Sequence, residues 1–286
     1  MIYISTGGFS KQPSWQTCEL LSNFGIHAFE LSGGSYDKNQ LNILKSLTSN
    51  FNFQVHNYFP PPELPFVFNL ASLNQEVAKM SMRHAEKSMQ WSVELNRPVY
   101  SFHAGFMLDV QVSDLGKVIK DRSLFDITES KNWFLERVNS LSDRARELGV
   151  DLLIENNVLS QRNSLEYETP PFLMLTSSDC IEIMHQTPDN VNMLVDVAHL
   201  KVSAKSLGFS PIDFLEQCDP WIVAYHLSDN DGKEDSNSKV EANSWFWPYL
   251  KTDLDYYSLE IYNISPQDLL QQHSFTSKQI FRHESD

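Results

Sequence analysis

The sequence predicts an α/β fold, a closed (β/α)8 TIM barrel with eight parallel strands inside and helices outside. Two observations predict it. Short apolar runs that end on a polar or ionisable residue recur eight times: MIYIS, HAFEL, FQVH, VYSFH, DLLIEN, VNMLVD, IVAYH and YYSLE. Segments with helical periodicity lie between them, and alternating strands and helices call for parallel strands with right-handed crossovers. Eight is the number a closed barrel needs. The open doubly wound sheet is the alternative, but no Gly-x-Gly-x-x-Gly follows the first run, so its usual nucleotide signature is missing.

Taken in order, MIYIS opens the barrel and SWQTCELLSNF is its first expected helix. NQLNILKSLTS follows HAFEL. After FQVH comes FPPPELPFVF (59–68), four prolines among large apolar residues: either a pocket wall offering an apolar face to a sugar or a rigid loop packed on the barrel. The clearest helices are LNQEVAKMSMRHAEKSMQWSVEL (73–95) and SKNWFLERVNSLSDRAREL (130–148), with apolar residues every three or four positions and charges opposite. The insert 106–130, between VYSFH and the second of these, is placed to cover the barrel mouth. SSDCIEIMHQ, SPIDFLEQC and SPQDLLQQ open on serine, as helix N-caps do. In NSWFWPYL, Trp245, Phe246, Trp247 and Tyr249 cluster, and core or subunit-interface packing is the commoner use of such a group.

A single domain over residues 1–286 is expected, since such barrels run to about 250 residues. Hydrophobic residues make up 41% and charged residues 21%, which is ordinary for a globular chain and too apolar for disorder. No stretch approaches the roughly 20 apolar residues of a membrane span, and the N-terminus shows no signal peptide, so a cytoplasmic location is the expectation. Cys18, Cys180 and Cys218 are far apart and odd in number, which suggests reduced structural thiols. A formal charge of -15 disfavours nucleic acid as a partner.

In a barrel the strand C-termini converge on one mouth, where active sites form. At or near those ends stand Glu30, His56, His103, Glu155, Asp196, His226 and Glu260, and His199 follows Asp196 in DVAH. So many acids and imidazoles aimed at one volume would leave uncompensated charge, and a divalent cation resolves the conflict. Carboxylate oxygen with imidazole nitrogen suits zinc or manganese, with cobalt and magnesium as further candidates. A lone histidine at a strand end is more often structural. It is the coincidence of many at one level that argues for a metal. His27, His84, His185, His273 and His283 lie away from strand ends and read as structural or exposed.

VHNYFPP, SFHAGF, LLIENN, MLVDVAHL, YHLSDNDGKED and YYSLEIYN together resemble the strand-end motifs of the xylose isomerase-like TIM-barrel superfamily. The resemblance spans nearly the whole chain. It implies a sugar or sugar-phosphate isomerase or epimerase, with inosose dehydratase-like lyases and the endonuclease IV type of zinc-dependent apurinic-site nuclease as alternatives. In the epimerase branch one divalent ion would be held by Glu155, Asp196, His226 and Glu260, with Glu155 and Glu260 as the acid/base pair and His199 steadying charge or binding substrate. Glu30, Asn157, Asp229 and Lys201 are further candidate substrate contacts. Lys117, Lys120, Arg122, Arg162 and Lys201 are candidates for a phosphate clamp. In the nuclease branch His56 and His103 would join Glu155 at a further zinc, and a third zinc would need an Asp-x-His where this chain has Asp235, Ser236 and Asn237. The missing imidazole and the acidic loops favour the isomerase or epimerase. The resemblance also implies a small-molecule sugar substrate and homo-oligomers.

Overall fold

The computed structural model describes residues 1–9, 11–114, 117, 119–120 and 123–281. The eight expected runs form eight strands: β1 (Ile2–Ser5), β2 (Ala28–Leu31), β3 (Asn52–His56), β4 (Val99–His103), β5 (Asp151–Glu155), β6 (Val191–Asp196), β7 (Ile222–Leu227) and β8 (Tyr256–Leu259). They pair in parallel in sequence order, and β8 closes on β1. The fold is therefore a (β/α)8 TIM barrel.

Helices α1 (Ser14–Ser22), α2 (Gln40–Leu47), α3 (Gln75–Glu94), α4 (Ile127–Leu148), α5 (Gln161–Ser164), α6 (Ser177–Met184), α7 (Val197–Leu207), α8 (Pro211–Cys218) and α9 (Pro266–Ile280) follow the strands. Side-chain caps set several of their starts. Asn74 Oδ1 accepts the backbone N–H groups of Glu76 and Val77. Asp126 caps Glu129, so α4 begins three residues before the expected 130. At the far end of α4, Gly149 takes the left-handed conformation (φ +68°) that a side chain would resist. Two helices are additions to the sequence reading. α7 starts immediately at the end of β6, with no intervening residue to mark a boundary, and α5 is a single short turn. α9 also runs well past SPQDLLQQ, to Ile280.

Strand alternation sorts the core into two layers. In β5, Leu152 and Ile154 face the helices and join the main core, whereas Leu153 fills the barrel interior with Tyr3, Leu194, Ala224 and Tyr256. The aromatic cluster after β7 belongs to the packing: Phe246 is fully buried, and Trp245 and Trp247 lie half-buried against the main core. Cys18, Cys180 and Cys218 are buried free thiols. Among the described residues no helix is long and apolar enough to cross a membrane. Arg122 and His283 lie outside the described residues.

Candidate metal centre

Period-two alternation places the chemistry. Glu155, Asp196 and His226 each stand two residues beyond a barrel-interior residue (Leu153, Leu194, Ala224), so they share its inward face at the mouth. Glu260, just past β8, lies on the face of Tyr256 and Ser258. Register then sets neighbours: Glu155 opposes His103 across β4 and β5, and Asp196 opposes His226 across β6 and β7.

The sequence-predicted ligands come together. Glu155 Oε2 lies 3.3 Å from both His56 Nε2 and His103 Nδ1. Its other oxygen lies 3.2 Å from His199 Nδ1 and 3.5 Å from His226 Nδ1. From His226 Nδ1, Glu260 Oε2 is 3.6 Å and Asp196 Oδ2 3.9 Å away. Two trios that share Glu155 each have ligand atoms within 4.8 Å of one another, one with His56 and His103, the other with Asp196 and His226. Glu30, His56 and His226 form a third such group.

Around these atoms a shell of hydrogen bonds takes up the opposite ends of the same side chains, as it does around bound metals. His226 Nε2 lies 2.7 Å from Glu30 Oε2, and Tyr256 donates its hydroxyl to that same oxygen. His56 Nδ1 is 2.9 Å from Ser101 Oγ. Asp196 Oδ1 accepts the backbone N–H of Ala198 (2.7 Å) and of His199 (2.8 Å), so one oxygen caps α7 and leaves the other for the site. Glu260 Oε1 accepts the hydroxyls of Ser5 (3.0 Å) and Tyr262 (3.2 Å). What remains is diagnostic: Glu155 Oε1 and Oε2, Asp196 Oδ2 and His226 Nδ1 are buried and have no hydrogen-bond partner. Neighbouring ring nitrogens stand close to them without the alignment of a hydrogen bond. Buried polar atoms are rarely left so. A cation at their centre would satisfy them all, so this donor set fits a divalent metal ion.

The protonation pattern of the ion-free cluster shows what such a cation replaces. Burial pushes the Glu260 carboxyl up to about 8, with the charges of Glu30, Glu155 and Asp196 adding to it against His226. Burial likewise raises Asp196 to about 6. Burial would also raise Glu155, but the imidazoles of His103 and His226 hold it well below the usual range. Against the cost of burial, His226 is raised well above an ordinary imidazole by Glu30, Glu260 and Glu155, and His199 by Asp196 and Asp235. His56, which is buried beside other imidazoles, falls to about 3 and is neutral.

Other expected contacts have internal partners. The Asn157 amide donates to the carbonyls of Ala104, Gly105 and Leu173 and fastens the loop after β4. Lys201 pairs with Asp229 at 2.6 Å and also donates to the Asn230 carbonyl, while Asp229 accepts the Ser244 hydroxyl. Asp235 Oδ2 meets His199 Nε2 at 3.2 Å. Ser5, Ser101, Tyr256 and Tyr262 escaped the sequence reading. For Ser101 and Ser5 the signal was the inward parity of their strands, while a tyrosine in an apolar strand looks like any core aromatic.

A cavity of about 550 Å³ opens beside the cluster and is lined at its inner end by His103, His199 and Asp235. Phe66 and Phe68 of the proline-rich loop line its wall, while Phe59 of the same stretch packs into the main core, so the loop takes both of the roles left open for it.

A parallel barrel whose strand ends gather acids and imidazoles into one buried cluster with unpartnered atoms could hold a metal ion at its mouth. The chain belongs to the xylose isomerase-like TIM barrel family, whose model matches residues 18–255. Solved structures share the fold. A D-tagatose 3-epimerase-like protein aligns with TM-score 0.74 and 18% identity over 98% of this chain and 96% of its own. A xylose isomerase-like TIM barrel protein from Mycobacterium smegmatis in complex with magnesium gives 0.70 and 10% over 98% and 96%. D-psicose 3-epimerase from Clostridium cellulolyticum H10 gives 0.64 and 13% over 98% and 94%. A sequence comparison with curated proteins finds no match.

Proposed function

We propose that the chain is a metal-dependent isomerase or epimerase of a small sugar, sugar phosphate or related polyol ketone, working by proton removal beside a carbonyl. One observation carries the reading: the buried atoms of Glu155, Asp196 and His226 that lack partners and converge at the barrel mouth. The sugar epimerases among its structural neighbours support the reaction class, and the magnesium-bearing neighbour supports a divalent ion. Glu155, Asp196, His226 and Glu260 would hold that ion, with zinc or manganese first among the candidates, then cobalt or magnesium. Once bound, it supplies Lewis-acid polarisation of a carbonyl and a template for two adjacent oxygens.

The chain's own groups supply the proton transfers. Glu155 and Glu260 rise from the ends of β5 and β8, three strands apart around the mouth, each within 3.6 Å of His226 Nδ1. Both would be carboxylates once an ion is bound, and Glu260 is held in place through Oε1 by the hydroxyls of Ser5 and Tyr262. Two carboxylates placed at one centre can act as a proton acceptor and, once one has taken up a proton, a donor. One removes the proton and the other returns one through an enediolate, each within hydrogen-bond reach of the substrate carbon. His199, backed by Asp235, steadies the negative oxygen.

The test is elemental analysis of the purified protein together with incubation of ketoses in heavy water. Metal together with deuterium beside the carbonyl supports the reading; no exchange with any ketose by metal-loaded protein sinks it. The trio His56, His103 and Glu155 favours a second reading with more than one ion, as in a zinc-dependent nuclease of abasic sites. Nicking of an abasic duplex would favour it over the isomerase, and loss of water from the ketose would instead mark a dehydratase-type lyase.

A further inference from the structure

The cavity beside the centre is oddly furnished for a polar substrate. One side of its wall is aromatic and aliphatic, with Tyr58, Phe66 and Phe68 from the loop between β3 and α3, Phe106 and Val110 after β4, and Phe172 ahead of α6, while polar residues such as Asn57 and Asn237 complete the lining. These groups are held in place. The Phe66 N–H donates to the Tyr58 hydroxyl oxygen at 2.6 Å, and the rings stand 5.5 Å apart. The Asn69 side chain bonds both the N–H and the carbonyl of Phe106, whose ring meets that of Phe172 edge-on at 5.1 Å. Val110 and Phe172 belong to an apolar cluster separate from the main core. A preformed apolar surface beside a reaction centre is a binding feature, since packing alone would have closed the space.

Size and charge narrow the occupant. Even at the ~30 Å³ that each heavy atom of liquid water takes up, the dozen heavy atoms of a hexose need at most about 360 Å³. The cavity offers about 550 Å³. The remaining space is not prepared for a phosphate. Arg162, at its edge, is paired with Glu234, and Lys117 donates to the Ser113 carbonyl at 3.0 Å. Of the other described clamp candidates, Lys120 pairs with Asp114 and Lys201 with Asp229. Asp114, Glu234 and Asp235 add negative charge to the lining.

We infer that the substrate is an unphosphorylated keto-sugar carrying an alkyl or aryl substituent remote from the reacting carbon, with that substituent against Phe66, Phe68, Phe106 and Phe172. The inference rests on the isomerase or epimerase reading. The sugar end reaches the centre past His103 and His199, and the apolar end fills the outer cavity.

The test is binding of methyl, butyl and phenyl ethers on the terminal hydroxyl of several ketohexoses, and of ketohexose 6-phosphates, to the full chain, measured by calorimetry and by saturation transfer from protein to ligand protons. At the usual apolar transfer energy the affinity should rise about fourfold per buried methylene. Phenyl should exceed methyl by at least about tenfold, with saturation strongest on its ring protons. Phe106→Ala or Phe66→Ala should flatten the series; using two variants, each checked by melting temperature, guards against one of them failing to fold. Equal affinity across the series, tighter binding of the phosphates, or no binding at all overturns the inference. Heavy-water exchange on free ketoses reports separately on the reaction. Exchange with a flat ether series removes the apolar pocket alone; a steep series without exchange keeps the ligand class and removes the chemistry.

Discussion

His226 Nε2 and Glu30 Oε2 lie 2.7 Å apart, and both side chains are completely buried. The contact fixes which imidazole nitrogen faces the cluster. With Nε2 committed to Glu30, only Nδ1 is presented to Glu155, Asp196 and Glu260. A carboxylate behind a ligating histidine orients the ring and raises its basicity. Tyr256 anchors that carboxylate in turn. Replacing Glu30 by Gln should therefore weaken divalent metal binding by about 10- to 100-fold while leaving the ligand set intact. Calorimetric titration of the variant checks this; wild-type affinity would mean that Glu30 does not position the ring.

Metal binding should release protons. Glu30, Glu260 and Glu155 raise His226 well above an ordinary imidazole, and burial lifts Glu260 to about 8, so both groups favour holding a proton in the ion-free protein. An ion has to displace those protons, so apparent affinity should rise from pH 6 to pH 8, up to about tenfold per unit for each proton released. Titration in two buffers of different ionisation enthalpy counts the protons. A binding enthalpy independent of buffer would contradict the assigned protonation.

The centre was legible in sequence because its residues end strands. DLLIE stops on Glu155 and VNMLVD on Asp196, and an apolar run terminated by an acid is visible without a structure. The supporting shell was less visible. Ser5 and Ser101 are unremarkable in type, and Tyr256 lies 226 residues from the Glu30 it holds, so only barrel closure shows the contact. Lys201 and Asp229 stood out as charged groups near strand ends, yet their salt bridge is a property of geometry. α7 was hidden for a related reason: Asp196 is both strand end and helix cap, and one residue with two roles leaves no gap to mark the boundary.

Glu260→Gln should abolish turnover and spare the fold. Glutamine can still accept the hydroxyls of Ser5 and Tyr262, so the side chain keeps its place. It cannot exchange a proton, and loss of a general acid or base costs about 10²- to 10⁴-fold in rate. Isotope exchange at the ketose carbon, with melting temperature as the control for folding, measures both. Full activity in the variant would remove Glu260 from the proton transfer.

The last expectation concerns stability and lies outside the centre. His84, on α3, is buried beneath Tyr58, whose ring stacks on it at 5.4 Å, and its Nε2 contacts the Asn57 carbonyl at 3.2 Å. Burial lowers it from 6.5 to about 4, the carbonyl contact opposing only in part. A depressed imidazole makes the folded state bind fewer protons than the unfolded chain between those two values. Stability from this group is therefore complete above pH 6.5 and falls as the pH drops toward 4, reaching a loss of about 2 kcal/mol near pH 5. His84→Gln keeps a hydrogen-bonding side chain and removes the titration. Urea unfolding of both proteins at pH 7.5 and pH 5 should show the advantage of the native histidine shrinking by about that amount. A difference between the two proteins that stays constant with pH would mean that the imidazole is solvated or charged where it lies, against the packing of Tyr58, Phe66 and Phe68 around it.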